Sequence, residues 1–478
     1  MKTDWKMALY RKLPIRIQET ALSLYARYLE TIYYNETYLT WKQWLATRQN
    51  WVPSHMEKWK GERLRYILEV ASKRVPFYKE CYKEVCWETV QSDMDLGILP
   101  ILDKQMVRHN EYAFLAKDLD KRSLWSEKTS GTTGTALTIY WSKEMAAKWW
   151  AIVEVMVRHV AGVGQAMPRA TMGGRPLMKG ETDHPPFWRY NRRWKQLYLS
   201  SYHVSARTSP FYIDALKKYG CEWIYGYGST IAALAEDAAN AGIEPPRLRS
   251  IIVSGDTLLP PLRRSIEGYF GCKCYDHYGQ SEGVAMAMEC GYGRMHVIPQ
   301  VGIIEILKDD GSRCGPGDIG QVVATSLLND AMPLVRYRTG DYATWSVERE
   351  CPCGNPNPII GKIEGRVDDY LVTPDGRRIG RLSTALKRCP TIHSAQIVQD
   401  KPGHAYLLIR PGKGYKSEHG ATVRADILER IGRFGVDIVE VPAIPKTPQG
   451  KAVLVIRLEE RPLMRRSYEE ILKKVVSD

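Results

Sequence analysis

The chain has 478 residues, 44% hydrophobic and 26% charged, with 68 Lys and Arg against 54 Asp and Glu for a formal charge of +14. That composition excludes a disordered or low-complexity chain and leaves room for a large core plus a further domain. Ten cysteines are scattered without a disulfide framework, which points to free thiols and a reducing, cytoplasmic setting. Lys2 and Lys6 are not followed by an apolar stretch, and the most apolar later segment, residues 151–167, is interrupted by Glu154, Arg158 and His159. Neither a signal peptide nor a membrane span is expected. The basic residues are dispersed, with no finger repeat, RNP sequence or basic zipper, so no nucleic-acid partner is expected and the charge is left to anionic small molecules.

In chain order, the first 110 residues or so read as largely helical. Residues 11–34 mix Lys/Arg, Leu/Ile and Tyr at helical spacing, a pattern that could lie on a membrane surface and is read here as a helix packed on its own domain. From there to about Gly365 strands alternate with helices, which predicts layered α/β architecture. Residues 251–253 run into Ser254-Gly255-Asp256, and residues 273–275 into a glycine-containing loop. Both read as buried strands whose carboxyl ends reach a cleft. In the tail, strand-like stretches 395–398, 405–409, 436–441 and 452–456 surround a helix-like segment 421–433, a small α+β domain, after a turn at Pro374-Asp375-Gly376.

Four clusters carry chemistry. Thr129-Ser130-Gly131-Thr132-Thr133-Gly134-Thr135 joins permissive glycines to hydroxyl donors and has the composition of a phosphate-gripping loop, without the Lys-Ser/Thr ending of a Walker loop. In Asp276-His277-Tyr278-Gly279-Gln280-Ser281-Glu282, Tyr278 can stack on a purine, Asp276 can accept from an exocyclic amine and Glu282 can bind Mg²⁺. Asp341, in Arg336-Tyr337-Arg338-Thr339-Gly340-Asp341, is suited to ribose hydroxyls. Cys290, His296, Cys351 and Cys353 are either buried thiols beside a core histidine or the three thiolates and one imidazole of a closed, structural zinc shell. By contrast Cys272 and Cys274, alternating on a strand, are expected in the core.

These clusters occur in a fixed order with Val75-Pro76-Phe77-Tyr78, Leu99-Pro100-Ile101-Leu102-Asp103-Lys104, Gly365-Arg366-Val367-Asp368-Asp369 and Pro445-Lys446-Thr447-Pro448-Gln449-Gly450-Lys451. The series resembles the adenylate-forming superfamily of acyl-CoA synthetases, in its phenylacetate-CoA ligase-like and CapK-type branch, over roughly residues 60–458.

The resemblance implies a large multi-layer N-terminal domain (1–367) and a small mobile α+β C-terminal domain (368–478), with a hinge at Asp368 or Asp369. It implies ATP with Mg²⁺ as cofactors and a carboxylic acid as substrate, activated as acyl-AMP. Thr129 to Gly134, Ser254, Gly255, Asp276, Tyr278, Gly279, Asp341 and Arg366 would hold the nucleotide, and Glu282 its metal. Lys451 would act in adenylation, where negative charge gathers on the transferring phosphoryl group. Tyr227, Gly228, Ser229 and Gly283 would border the acid pocket, and nearby tryptophans lean towards an aryl acid. Similar proteins carry the Cys/His set, which supports structural zinc. The acceptor is CoA, or else a carrier-protein thiol, an amine or a sugar. The segment Thr373-Pro374-Asp375-Gly376-Arg377-Arg378-Ile379-Gly380 resembles CapK-type proteins more than dedicated CoA ligases. A non-catalytic nucleotide-binding or basic scaffold is the reading from another class, opposed by the presence of Glu282, Asp341, Arg366 and Lys451. The sequence leaves the oligomeric state open.

Overall fold

The computed structural model describes residues 9–47, 52–128, 137–175, 177–178, 182–256, 258–364, 370–379, 382, 385–386, 389, 391–412, 414–445 and 454–459, with Tyr468 and Leu472. The helical start is borne out by α1 (Ile15–Tyr33), α2 (Glu36–Ala46), α3 (Pro53–Arg74), α4 (Pro76–Cys81) and α5 (Lys104–His109). Local chemistry sets their ends. Asn35 accepts from the Tyr38 amide to cap α2, Pro53 opens α3, and Asp103 accepts from the Met106 amide to cap α5. The inner face of α3 is Met56, Lys60, Leu64, Ile67, Leu68 and Ala71, a spacing of three and four that turns one stripe inward.

A hairpin of β1 (Trp125–Lys128) and β2 (Thr138–Trp141) pairs Lys128 with Thr138. It brackets the Thr/Gly segment, so Thr129, Ser130, Gly131, Thr132, Thr133 and Gly134 lie outside the described residues. Next come α6 (Lys143–Ile152) and a wide turn of π-helix over Val153–Arg158. Here the charges that interrupt the apolar stretch find partners: buried Arg158 donates to Glu154 at 2.8 Å, and its guanidinium lies over the Trp150 and Trp223 rings.

The strands β3 (Arg169–Gly173), β4 (Trp188–Asn191), β5 (Gln196–Ser200), β6 (Trp223–Gly226), β7 (Ser250–Ser254), β8 (Lys273–Gly279), β9 (Met286–Glu289), β10 (Met295–Val297), β11 (Gly302–Leu307), β12 (Ile319–Ser326), β13 (Tyr337–Trp345) and β14 (Ile359–Glu364) form one sheet. Its order is 11-12-13-14-10-9-8-7-6-3-5-4. Strands 5, 3, 6, 7 and 8 are parallel, joined in part by α7 (Ser209–Lys218), α8 (Gly228–Asn240) and α9 (Pro260–Phe270), while strands 9 to 14 add an antiparallel flank. The α/β expectation holds. Cys274 is buried and Cys272 packs beside it in the core under α8 and α9, as expected, and all ten cysteines are free thiols. No helix of the described residues is long and apolar enough to cross a membrane.

The tail has a short hairpin of β15 (Leu371–Val372) and β16 (Arg378–Ile379), then a sheet in the order 19-18-17-20 with α10 (Ser417–Ile431) packed on it. Its strands are β17 (Ile392–Lys401), β18 (His404–Pro411), β19 (Gly435–Glu440) and β20 (Val455–Arg457). The expected turn lies between β15 and β16, with Gly376 at φ 79°.

One buried ion pair fixes the loop ahead of β13. Arg336 sits at φ 48°, and its guanidinium donates to both Glu305 oxygens at 3.1 Å and to the Leu99 carbonyl at 2.7 Å. Beside it the Leu102 amide donates to the Arg336 carbonyl at 2.9 Å, and the Leu102 carbonyl accepts from the Arg338 amide at 2.8 Å. Glu305→Ala leaves this guanidinium buried without its carboxylate. It is expected to cost about 3–5 kcal/mol in urea unfolding, part of which Arg336→Met should restore in the double variant.

Candidate active site

The carboxyl ends of β7 and β8 meet the start of β13. Tyr278 ends on the same side of β8 as the incoming strand, and its hydroxyl donates to Asp341 Oδ2 at 2.9 Å. Gln280 Nε2 donates to the same oxygen at 2.7 Å and to the Tyr278 hydroxyl at 2.8 Å. Gly340, at φ 84°, turns the backbone just before Asp341. One residue pair further along, Glu282 Oε1 accepts from the Tyr337 hydroxyl at 3.4 Å and lies 3.8 Å from Lys104 Nζ. Tyr278, Asp341 and Glu282, picked from separate segments, therefore converge on one edge. Gln280 and Lys104 join them unassigned by the sequence reading, although both stand inside its motifs.

Below this edge the groups are buried and their protonation is set by desolvation. His277 accepts from or donates to Ser254 Oγ at 3.0 Å through Nδ1, while its Nε2 is buried with no hydrogen-bond partner. Burial lowers its pKa to about 4, so the ring is neutral. Burial, then the neighbouring Glu289 carboxylate, raises Asp276 to about 7 against the opposing pull of Arg263. Gly279 leaves space over His277: an added Cβ would lie 3.2 Å from the ring. Gly255 takes φ 87° as the chain leaves β7, a conformation that favours glycine.

The Tyr227-Gly228-Ser229 segment opens α8, and its donors are already engaged. Asp256 Oδ1 accepts from the Gly228 amide at 2.7 Å, and Oδ2 from the Ser229 amide at 2.9 Å and hydroxyl at 2.6 Å. A resident carboxylate thus fills the anion-binding end of that helix. Sequence reading missed it, although Asp256 follows Ser254-Gly255 directly. Tyr227 accepts from the Gly174 amide at 2.8 Å. Gly283, at φ 69°, lies over Met145 and Trp141, whose atoms would be 2.9 and 3.5 Å from an added Cβ. Trp149 packs on Trp141, whereas Trp150 and Trp223 belong to the Arg158 network. Three buried atoms on these residues have no hydrogen-bond partner: Gln280 Oε1, His277 Nε2 and Trp141 Nε1. Such orphans mark places where a ligand or water completes the bonding.

Arg366, Asp368, Asp369 and Lys451 lie outside the described residues. The other expected set is assembled: the donor atoms of Cys290, His296, Cys351 and Cys353 all lie within 4.8 Å of one another. Cys290 Sγ is 3.6 Å from Cys351 Sγ, and Cys353 Sγ is 3.3 Å from His296 Nε2. Amides of Tyr292 and Asn355 point at the Cys290 and Cys353 sulfurs, both at 3.4 Å, and His296 Nδ1 lies 3.2 Å from the Asn357 carbonyl.

Comparison with known proteins finds no matching family model. The chain is 25% identical to CapK of Staphylococcus aureus over 402 residues, covering 82% of this chain and 87% of that protein. It is 28% identical to the phenylacetate-coenzyme A ligase of Pseudomonas putida and 26% identical to that of Thermus thermophilus, in each case over 65% of this chain and 70% of the relative. Among solved structures, 2-hydroxyisobutyryl-CoA ligase in the postadenylation state superposes with a TM-score of 0.57 at 18% identity, covering 89% of this chain and 94% of that one. The same ligase with 2-HIB-AMP and CoA in its thioesterification state also gives 0.57.

The raised Asp276 has a measurable consequence. Between its unfolded value of 3.8 and its folded value of about 7 the native state holds the extra proton, so this group's contribution to stability falls as pH rises through that window. Asp276→Asn is expected to flatten the pH dependence of the unfolding midpoint between those limits and to be more stable than the parent at pH 8. A variant with the parent's slope would place the proton elsewhere.

Proposed function

We propose that this chain, a sequence relative of CapK and the phenylacetate-CoA ligases built on the fold of 2-hydroxyisobutyryl-CoA ligase, activates a carboxylic acid with ATP and transfers the acyl group to CoA. The observation that carries the reading is the Tyr278–Gln280–Asp341 cluster with Glu282 and Lys104 beside it, on the edge where parallel strands of such sheets hold ligands. The unpartnered Gln280 Oε1 and His277 Nε2 support a polar ligand there.

In this reading Tyr278 and Asp276 flank the adenine, and Asp341 with Arg366 binds the ribose. Ser254, Gly255 and Gly279 border the nucleotide, and the Thr129 to Gly134 loop grips its phosphates. Glu282 holds Mg²⁺, which neutralises phosphate charge when bound. The acid's carboxylate oxygen bonds to the α-phosphorus as the bond to pyrophosphate breaks, and Lys451 stabilises the charge gathered in that transfer. The CoA thiolate then forms a bond to the acyl carbonyl carbon and AMP leaves. Tyr227 and Gly283 border the acid, while Gly228 and Ser229 shape its wall through Asp256. The lysine arrives on the 368–478 domain, turning about Asp368 or Asp369 between the two half-reactions.

The Cys290–His296–Cys351–Cys353 set is read as a structural zinc site. A tetrahedron with bonds of about 2.3 Å to sulfur has edges of about 3.8 Å, close to the 3.6 Å between Cys290 and Cys351. The amides aimed at sulfur favour thiolates, and the Asn357 carbonyl fixes the His296 tautomer that leaves Nε2 for metal. The ion would clip the turn between β9 and β10 to the loop ahead of β14.

Two experiments test these readings. ATP–pyrophosphate exchange against aryl, short-chain, fatty and amino acids should respond to one class, and Lys451→Ala should lose about a hundredfold or more in that exchange while keeping most ATP affinity. Stimulation of AMP release by CoA identifies the acceptor; stimulation only by a carrier protein, amine or sugar reassigns it. Purified protein should carry about one zinc per chain, and Cys351→Ser with Cys353→Ser should lose the metal and lower the melting temperature. Metal-free protein of normal stability would remove the zinc site.

A further inference from the structure

We propose that the outward face of α1 docks the protein on an anionic lipid surface. This helix is amphipathic twice over. Gln18, Ala26, Leu29 and Ile32 turn inward, and the helix packs along β4, the edge strand of the large sheet. A second stripe, about 115° around the axis from the buried one, is also apolar: Ile17, Leu24 and Tyr28 stand at i, i+7 and i+11, within about 40° of one another. Leu24 is 64% exposed, Tyr28 54%, Ile17 49% and the neighbouring Tyr25 47%.

The charge around this stripe is mainly basic, the exposed Glu127 near Tyr33 excepted. Arg16 and Arg27 are exposed along one flank of the helix, Lys12 precedes it, and exposed Arg175 lies near Tyr25 on the other flank. Both acids of the helix are turned away and occupied by the β4–β5 hairpin. Glu19 accepts from the Tyr190 amide at 2.9 Å, and Glu30 accepts from Arg193 and from the Trp194 indole. The exposed surface therefore carries an apolar and aromatic stripe bordered mainly by basic side chains, the arrangement by which an amphipathic helix lies in a headgroup layer. A second copy of the chain fits less well, because a two-fold contact through this face would bring the same arginines against each other. The sequence reading of this segment as a helix packed on its own domain holds for one face and leaves this one.

Co-sedimentation of the full chain with phosphatidylglycerol–phosphatidylcholine vesicles and with phosphatidylcholine alone tests the proposal, alongside sedimentation velocity without lipid. Binding should require the anionic lipid, fall with salt, and weaken about fivefold for each of Arg16→Ala and Arg27→Ala. Leu24→Gln with Tyr28→Gln should weaken it about tenfold or more. These exposed positions leave the fold intact, as thermal melting will show. Failure to bind, equal binding to neutral vesicles, or unchanged binding by the variants would overturn the proposal. A dimer abolished by Leu24→Gln would do the same and assign the face to a second copy.

Discussion

The buried pair of Arg336 with Glu305 holds the edge of the candidate site together. A guanidinium this far from water requires full pairing, and it finds it in the Glu305 carboxylate and the Gly97 and Leu99 carbonyls. Those carbonyls belong to the segment leading into α5, so one side chain ties that segment to the large sheet. Two consequences follow directly along the chain. Tyr337, the next residue, is placed to donate to Glu282, and Lys104 approaches the same carboxylate oxygen. The left-handed backbone at Arg336 is the strain this anchoring tolerates.

Above that anchor the edge carries carboxylates: Asp256, Glu282 and Asp341 lie along the strand ends and the loops that follow them. Such a surface repels bare phosphates, and the proposed nucleotide would reach it with a divalent cation at Glu282. The deeper groups avoid charge instead. His277 is held neutral by burial, and Asp276 is raised by burial and Glu289, so the floor is less negative near neutrality than its residue list implies. Asp256 spends its charge on the α8 amides and stabilises the turn from which Tyr227 projects.

Much of this was readable in advance where local chemistry decides. The strand at residues 251–253 extends only to 250–254, and the tail helix expected at 421–433 is observed at Ser417–Ile431. Expectation stopped short where pairing with distant chain decides. The strand read as 273–275 runs to Gly279, because β9 bonds to His277 and Gly279, and β17 is longer than its apolar centre because β18 and β20 flank it. The same limit applies to the site. Tyr278, Asp341, Glu282 and the Cys/His set could be picked by residue type and order. Nothing local marks Arg336 as a core clamp or Asp256 as the cap of a helix that starts 28 residues earlier.

The character of the contact between the two ends of the chain bears on how the proposed catalytic lysine would be delivered. In the tail cluster, Tyr202 is the one side chain from before residue 367 among the described residues. Around it the contacts are made largely by arginines: Arg377 reaches the Tyr202 carbonyl at 3.0 Å, Arg108 the Ile392 carbonyl at 3.3 Å, and Arg11 pairs with Glu429. Bonds from guanidinium to main-chain carbonyls can be exchanged for water or for other carbonyls at small net cost, unlike an interdigitated apolar seam. Arg377 keeps its charge partner, Asp375, within its own turn, so parting from Tyr202 strands no carboxylate. An interface of this kind holds one pose without opposing rotation to another, which is the physical requirement for a small domain that serves two half-reactions in turn.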